Sequence, residues 1–96
     1  MQQVRTYKLD TSTNCQQRLS LQVTSQTSIL SVTKSGHWIA LHCMVDTTVP
    51  EQTRTFTVRT SNTNIPKKAV FIGTVLFGLE SDYTYALHVF DETDVA

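Results

Sequence analysis

Apolar and polar residues alternate along most of this chain, and no window carries apolar residues at the three- and four-residue spacing of a long helix. The alternation predicts strands. Val4 to Leu9 opens as one, and Leu19, Leu21 and Val23 alternate with Ser20 and Gln22 in a second with one wet face. Ile29, Leu30 and Val32 make a third, closed by the turn signal Ser35-Gly36. Trp38 to Val45 is apolar at nearly every position: Ile39, Leu41, Cys43 and Val45 share one face, Trp38, Ala40, His42 and Met44 the other. After the turn Asp46–Pro50, a strand from Thr53 to Thr60 sends Phe56 and Val58 inward and Thr53, Thr55, Thr57 and Arg59 outward. Ser61–Pro66 reads as a loop, Val70 to Phe77 as a strand, Gly78–Asp82 as a hairpin loop and Tyr83 to Phe90 as its return. The acidic tail 91–96 reads as frayed.

Seven short strands with polar turns predict an all-β fold: a single small antiparallel β-sandwich or barrel spanning residues 1–96, with no internal repeat and no linker. Trp38–Val45, Val70–Phe77 and Tyr83–Phe90 are apolar on both faces, although one face of a small antiparallel sheet normally meets the core. Such strands are either covered by loops or turned toward another subunit, and the second case predicts a homo-oligomer.

Composition agrees. Only 17% of the 96 residues are charged, and Thr, Ser, Gln and Asn fill the gap. Thr suits a pleated strand better than a helix, where its β-branch costs χ1 freedom. The formal net charge of +0 argues against a partner of long nucleic acid, which calls for a basic excess, and no stretch is long enough for a membrane span. Met1-Gln2-Gln3-Val4-Arg5 lacks a signal-peptide apolar region, so the chain is expected to be cytoplasmic, with Cys15 and Cys43 as free thiols.

Catalytic chemistry finds little to build on. No Gly-x-Ser-x-Gly elbow or phosphate-cradling glycine loop is present, and the acids lie in turns or in the tail. His42 and His88 sit in doubly apolar strands; if those strands paired, the two rings would be neighbours, able to hold a metal or move a proton. With no convincing third ligand, core or interface histidines are the plainer reading, so no catalytic residue, metal or cofactor is assigned. Lys67-Lys68 reads first as solvated protection of a strand edge. Gly73, inside a strand, marks a bulge or a close backbone approach. Candidate ligand-binding residues are Trp38, His42, Arg54, Arg59, Lys67, Lys68, Tyr85 and His88, cations and aromatics suited to a small anionic nucleotide.

Several elements occur in a characteristic order: Ile29-Leu30-Ser31-Val32, Val45-Asp46, Pro50, Arg54-Thr55-Phe56-Thr57-Val58, Ile65-Pro66, Phe71-Ile72-Gly73-Thr74-Val75 and Leu87-His88-Val89-Phe90. In these the chain resembles a family of small, uncharacterised tailed-phage and prophage proteins, a domain of unknown function, over about the last two-thirds of its length. It departs from the family at Thr60-Ser61-Asn62-Thr63, where similar sequences carry a Gly-Thr-Gly-His-like turn, and no role of that histidine carries over. The resemblance implies phage origin and a β domain, with no established activity. The expectation is a non-enzymatic binding protein in the host cell cytoplasm, a counter-defence or host-takeover inhibitor. It would bind a host protein or sequester a defence-signalling nucleotide. The alternative is a virion structural or decoration protein; a metal-assisted enzyme ranks third.

Overall fold

The computed structural model describes residues 1–23, 28–78 and 84–95. Seven strands follow in order: β1 (Gln2–Leu9), β2 (Gln16–Leu21), β3 (Ile29–Ser35), β4 (Trp38–Asp46), β5 (Gln52–Thr60), β6 (Val70–Gly78) and β7 (Thr84–Asp91). They form two antiparallel sheets, β1-β4-β3 and β2-β5-β7-β6. Among the described residues no ladder joins the sheets into a barrel, so of the two predicted architectures the fold is the sandwich. Residues 79–83, which include most of the predicted hairpin loop and the start of its return strand, lie outside the described residues, as does Ala96 at the end of the tail. Among the described residues no helix is long and apolar enough to cross a membrane, which leaves strand-built membrane barrels unaddressed.

Alternation builds the core. On β4, Ile39, Leu41, Cys43 and Val45 are all fully buried, and Trp38, Ala40, His42 and Met44 take the outer side. The opposing sheet answers with Leu21, Phe56, Val58, Val75, Phe77, Leu87 and Val89. Burying each large side chain is worth about 1.5–3 kcal/mol, the dominant favourable contribution to folding. Turn chemistry fits the connections. Gly36 has φ +59 at the first position of the two-residue loop between the paired residues Ser35 and Trp38, as a tight hairpin requires. Asn62 adopts φ 66 in the turn after β5, a conformation asparagine tolerates better than most residues.

One finding extends the sequence reading and two correct it. Thr57 faces outward, yet it is only 2% exposed, because Glu92 folds back over it. The acidic tail is not frayed at its start: Asp91 closes β7 fully buried, and Glu92 is 3% exposed. His42 and His88 are not neighbours, since β4 and β7 belong to different sheets and each ring lies on its own sheet's outer side. A short repeat also emerges: β4 and β7 both contain Ala-Leu-His, and both end in an Asp-x-Thr turn, Asp46–Thr48 and Asp91–Thr93.

The sheets come closest along one flank, where β3 meets β6. Gly73 sits at a bulge in the β6–β7 ladder, and a Cβ built there would lie 2.7 Å from Val32 Cγ2. Gly73→Ala is therefore expected to destabilise the protein by about 1–3 kcal/mol, the usual cost of overpacking. Urea unfolding of Gly73→Ala beside Gly73→Ala/Val32→Ala checks this. The double variant should recover part of the loss, and equal loss in both would show that steric contact is not the cause.

Candidate functional site

Two surface recesses flank the β3–β4 hairpin. Cross-strand partners share a side of the sheet, so Trp38 and its partner Ser35 lie on the outer side, while Lys34 lies on the core side with its partner Ile39. On the outer side, Trp38 is 43% exposed, and the Lys8 ammonium from neighbouring β1 lies 3.2 Å from its ring centroid. Beside them is a recess of about 240 Å³ lined by Thr6, Lys8, Ser35, Trp38 and the small Ala40. On the core side, at the mouth between the sheets, the Lys34 ammonium lies 5.3 Å from the Phe77 ring centroid. Phe77 in turn stacks on Tyr85 at 5.8 Å and 18°. This second recess, about 430 Å³, is lined by Lys34, Gly36, His37, Phe77, Gly78 and Tyr85. A lysine over an aromatic face is worth about 0.5–1 kcal/mol when exposed. Each lysine thus retains capacity for an anion, while Trp38 and Tyr85, each 43% exposed, offer ring surface to a planar group.

Of the eight candidate residues, only Trp38 and Tyr85 belong to this region. Arg54 is taken by Asp91, its Nε and Nη2 donating to Oδ2 at 3.1 and 2.5 Å. Arg59 grips Glu92 with two bonds, Nε to Oε2 at 2.7 Å and Nη2 to Oε1 at 2.9 Å. Thr57 donates its hydroxyl to the same Oε2, and Thr93 Oγ1 accepts the Thr55 backbone N–H at 2.9 Å. The Arg59 hydrogen bonds hold the Glu92 carboxyl below its ordinary pKa, helped by Thr57 and by the guanidinium charge, while burial opposes them. In return, the Glu92 bond raises the Arg59 pKa. These arginines clamp the end of the chain onto β5, so the predicted cationic pocket does not assemble around them. Lys67 and Lys68 stand exposed in the turn before β6, an edge strand.

The histidines have another role. His42 Nδ1 meets Thr6 Oγ1 at 3.2 Å and Nε2 meets Thr33 Oγ1 at 2.8 Å, so the ring bridges all three strands of its sheet. His88 Nδ1 meets Thr74 Oγ1 at 2.9 Å and Nε2 meets Ser61 Oγ at 3.1 Å. A hydroxyl can donate or accept, so both ring nitrogens are served in either tautomer. Among the described residues no three His, Cys, Asp or Glu side chains gather as a metal site. Burial pushes the Cys43 thiol up to about 11, far from the thiolate that reactivity needs, and Cys15 is an exposed free thiol.

The candidate ligand-binding set drawn from the sequence left out Lys8, Lys34, His37 and Phe77. The run Lys34–Trp38, with cation, glycine and aromatic in one turn, was a usable local signal. Lys8 gave none, because its approach to Trp38 depends on the β1–β4 register, which pairs Lys8 with Ala40.

A family model described as Domain of unknown function (DUF7352) matches residues 1–96. No curated protein and no solved structure matches the chain.

The clamp has an acid signature. Because the folded carboxyl of Glu92 titrates low, its contribution is complete above the ordinary glutamate pKa of about 4.3 and is lost as pH falls through the lower folded value. Glu92→Gln should therefore lower the melting temperature at neutral pH and flatten its decline over that acid range. Arg59→Ala, which strands a buried carboxylate, should cost about 3 kcal/mol at pH 7. Melting curves from neutral to acid pH for wild type and both variants check the pair. Parallel wild-type and Glu92→Gln curves would remove Glu92 as the source.

Proposed function

We propose that this chain, which belongs to the family described as Domain of unknown function (DUF7352), is a non-enzymatic binding domain that holds an anionic, nucleotide-sized ligand at its β3–β4 hairpin. The observation that carries the reading is the pair of recesses on either side of one short turn, each with a lysine ammonium set against an aromatic ring. The inter-sheet recess, about 430 Å³, falls within the roughly 300–1,000 Å³ of small-molecule sites. Tyr85, 43% exposed, offers a stacking face, Lys34 and His37 offer cationic or donor groups, and Gly36 leaves backbone accessible. In its fuller form the proposal is a phage-encoded inhibitor that sequesters a defence-signalling nucleotide in the host cytoplasm. Phage origin rests on the sequence resemblance alone.

A protein partner is the second reading, whether a host factor or, for a virion decoration protein, a neighbouring capsid component. The exposed apolar side chains on the outer side of β6 favour it, with Phe71 56% and Leu76 61% exposed.

Thermal shift against a panel of cyclic nucleotides and ADP-ribose derivatives tests the first reading. A ligand at about 100 times its Kd adds ~2.7 kcal/mol to stability, which raises the melting temperature measurably. Lys34→Ala and Tyr85→Ala should abolish the shift while leaving the unliganded melting temperature near that of wild type. An unmoved wild-type curve across the whole panel at millimolar ligand would end the nucleotide reading.

A further inference from the structure

We propose that β1 pairs edge to edge with β1 of a second copy, joining two three-stranded sheets into one continuous six-stranded sheet. This goes beyond the ligand reading and stands on different observations. Among the described residues the sandwich has four edge strands, β1, β3, β2 and β6. Exposed edges invite pairing, and proteins blunt them with bulges, short lengths, prolines and lysines. Three of the four are blunted. A register shift between Ile29 and Ser31 breaks β3, and another between Phe71 and Gly73 breaks β6, which also follows Pro66-Lys67-Lys68. β2 is only 6 residues long. β1 is the least blunted: its 8 residues pair with β4 without a bulge and contain no proline, and its one lysine, Lys8, is drawn back over the Trp38 ring of its own sheet at 3.2 Å. Among the described residues, no backbone hydrogen bond from outside its own sheet reaches Gln2–Leu9. Val4 stands 59% exposed on this edge.

A second copy is the occupant that the sequence of β1 fits. In an antiparallel pair, directly opposite residues lie on the same face, so a two-fold axis through the sheet must pass at a residue rather than between two. Placing it at Arg5 sets two arginines against each other, which is destabilising. Placing it at Val4 shortens the paired run to Gln2–Thr6. Placing it at Thr6 pairs Gln3 with Leu9, Val4 with Lys8, Arg5 with Tyr7 and Thr6 with its own copy, and no like charges meet. Thr–Thr and cation–aromatic pairs are favourable across strands. Arg5 is already drawn along its own chain, Nη2 donating to Gln3 Oε1 at 3.1 Å and Nη1 to Gln22 Oε1 at 3.4 Å, so it does not block the edge. A formal net charge of +0 adds no general repulsion between copies.

The Thr6-centred pairing links features that otherwise stand apart. Thr6 Oγ1 already contacts His42, and His42 contacts Thr33, so the two rows of hydroxyl and imidazole groups would meet at the axis and run across all six strands. Both Trp38–Lys8 recesses would open on the same side of the joined sheet.

Light scattering on a sizing column gives the mass. Wild type is expected at twice the 10.8 kDa chain mass. Thr6→Lys, which sets two ammonium groups face to face, is expected at the single-chain mass with an unchanged β circular dichroism spectrum. In a Cys15→Ser background, Thr6→Cys should form an intermolecular disulfide on mild oxidation, and Val4→Cys should not. If Thr6→Lys fails to fold, the cysteine pair decides. A monomeric wild type, a dimer that survives Thr6→Lys, or cross-linking at Val4→Cys with none at Thr6→Cys would each overturn the proposal. Lys34→Ala and Tyr85→Ala should leave the mass unchanged, so this inference and the ligand reading fail separately.

Discussion

A strand can send only alternate side chains to one side, and for β4 this leaves a single workable placement. It is the middle strand of its sheet, bonded to β1 on one edge and β3 on the other, and four of its side chains are sealed completely in the core. A slip of one residue would exchange Ile39, Leu41, Cys43 and Val45 for Trp38, Ala40, His42 and Met44. That set contains an imidazole, an indole N–H and one side chain too small to fill its space. The core therefore pins the register, and the register in turn fixes what the outside carries: His42 between two threonines, Trp38 under Lys8, and a recess over Ala40.

The opposite sheet solves a different problem. Its strand β5 arrives with two arginines on alternate sides, Arg54 on the side of Phe56 and Arg59 on the side of Thr57. The chain end supplies one carboxylate to each, because Asp91 and Glu92 are consecutive and so also point to opposite sides. Two adjacent acids thus answer two separated bases across one strand pair. Buried ion pairs of this kind add little net stability, but removing one partner is costly. The clamp accordingly dictates where the chain must end its last strand more than it adds to the core.

Much of the fold was legible in the sequence. The boundaries of β3 and β4, the turn at Ser35-Gly36 and the inward set on β4 all followed from period-two patterning and turn residues, which are local. What was not legible was non-local. Nothing in the pattern of β4 and β7 says that they lie in different sheets, so His42 and His88 were placed as conceivable neighbours when the core separates them. Polar alternation made Thr57 an outward residue, which is correct, but gave no sign that Glu92, thirty-five positions later, covers it. The same limit applied to the candidate site. Arginines on a strand look available until their carboxylates are known, whereas the Lys34–Trp38 run was informative because a hairpin brings its own residues together.

The contact between Val32 and Gly73 carries one more consequence, for how this sequence can change over time. With a methyl group at position 73 only 2.7 Å from Val32 Cγ2, the two positions are not free to vary independently, although they sit in different sheets. The order of change therefore matters. A lineage that first trims position 32 opens room for a larger residue at 73, while one that enlarges 73 first must pass through a strained intermediate. Among related chains, bulk at these two sites should trade off, each growing only where the other has shrunk.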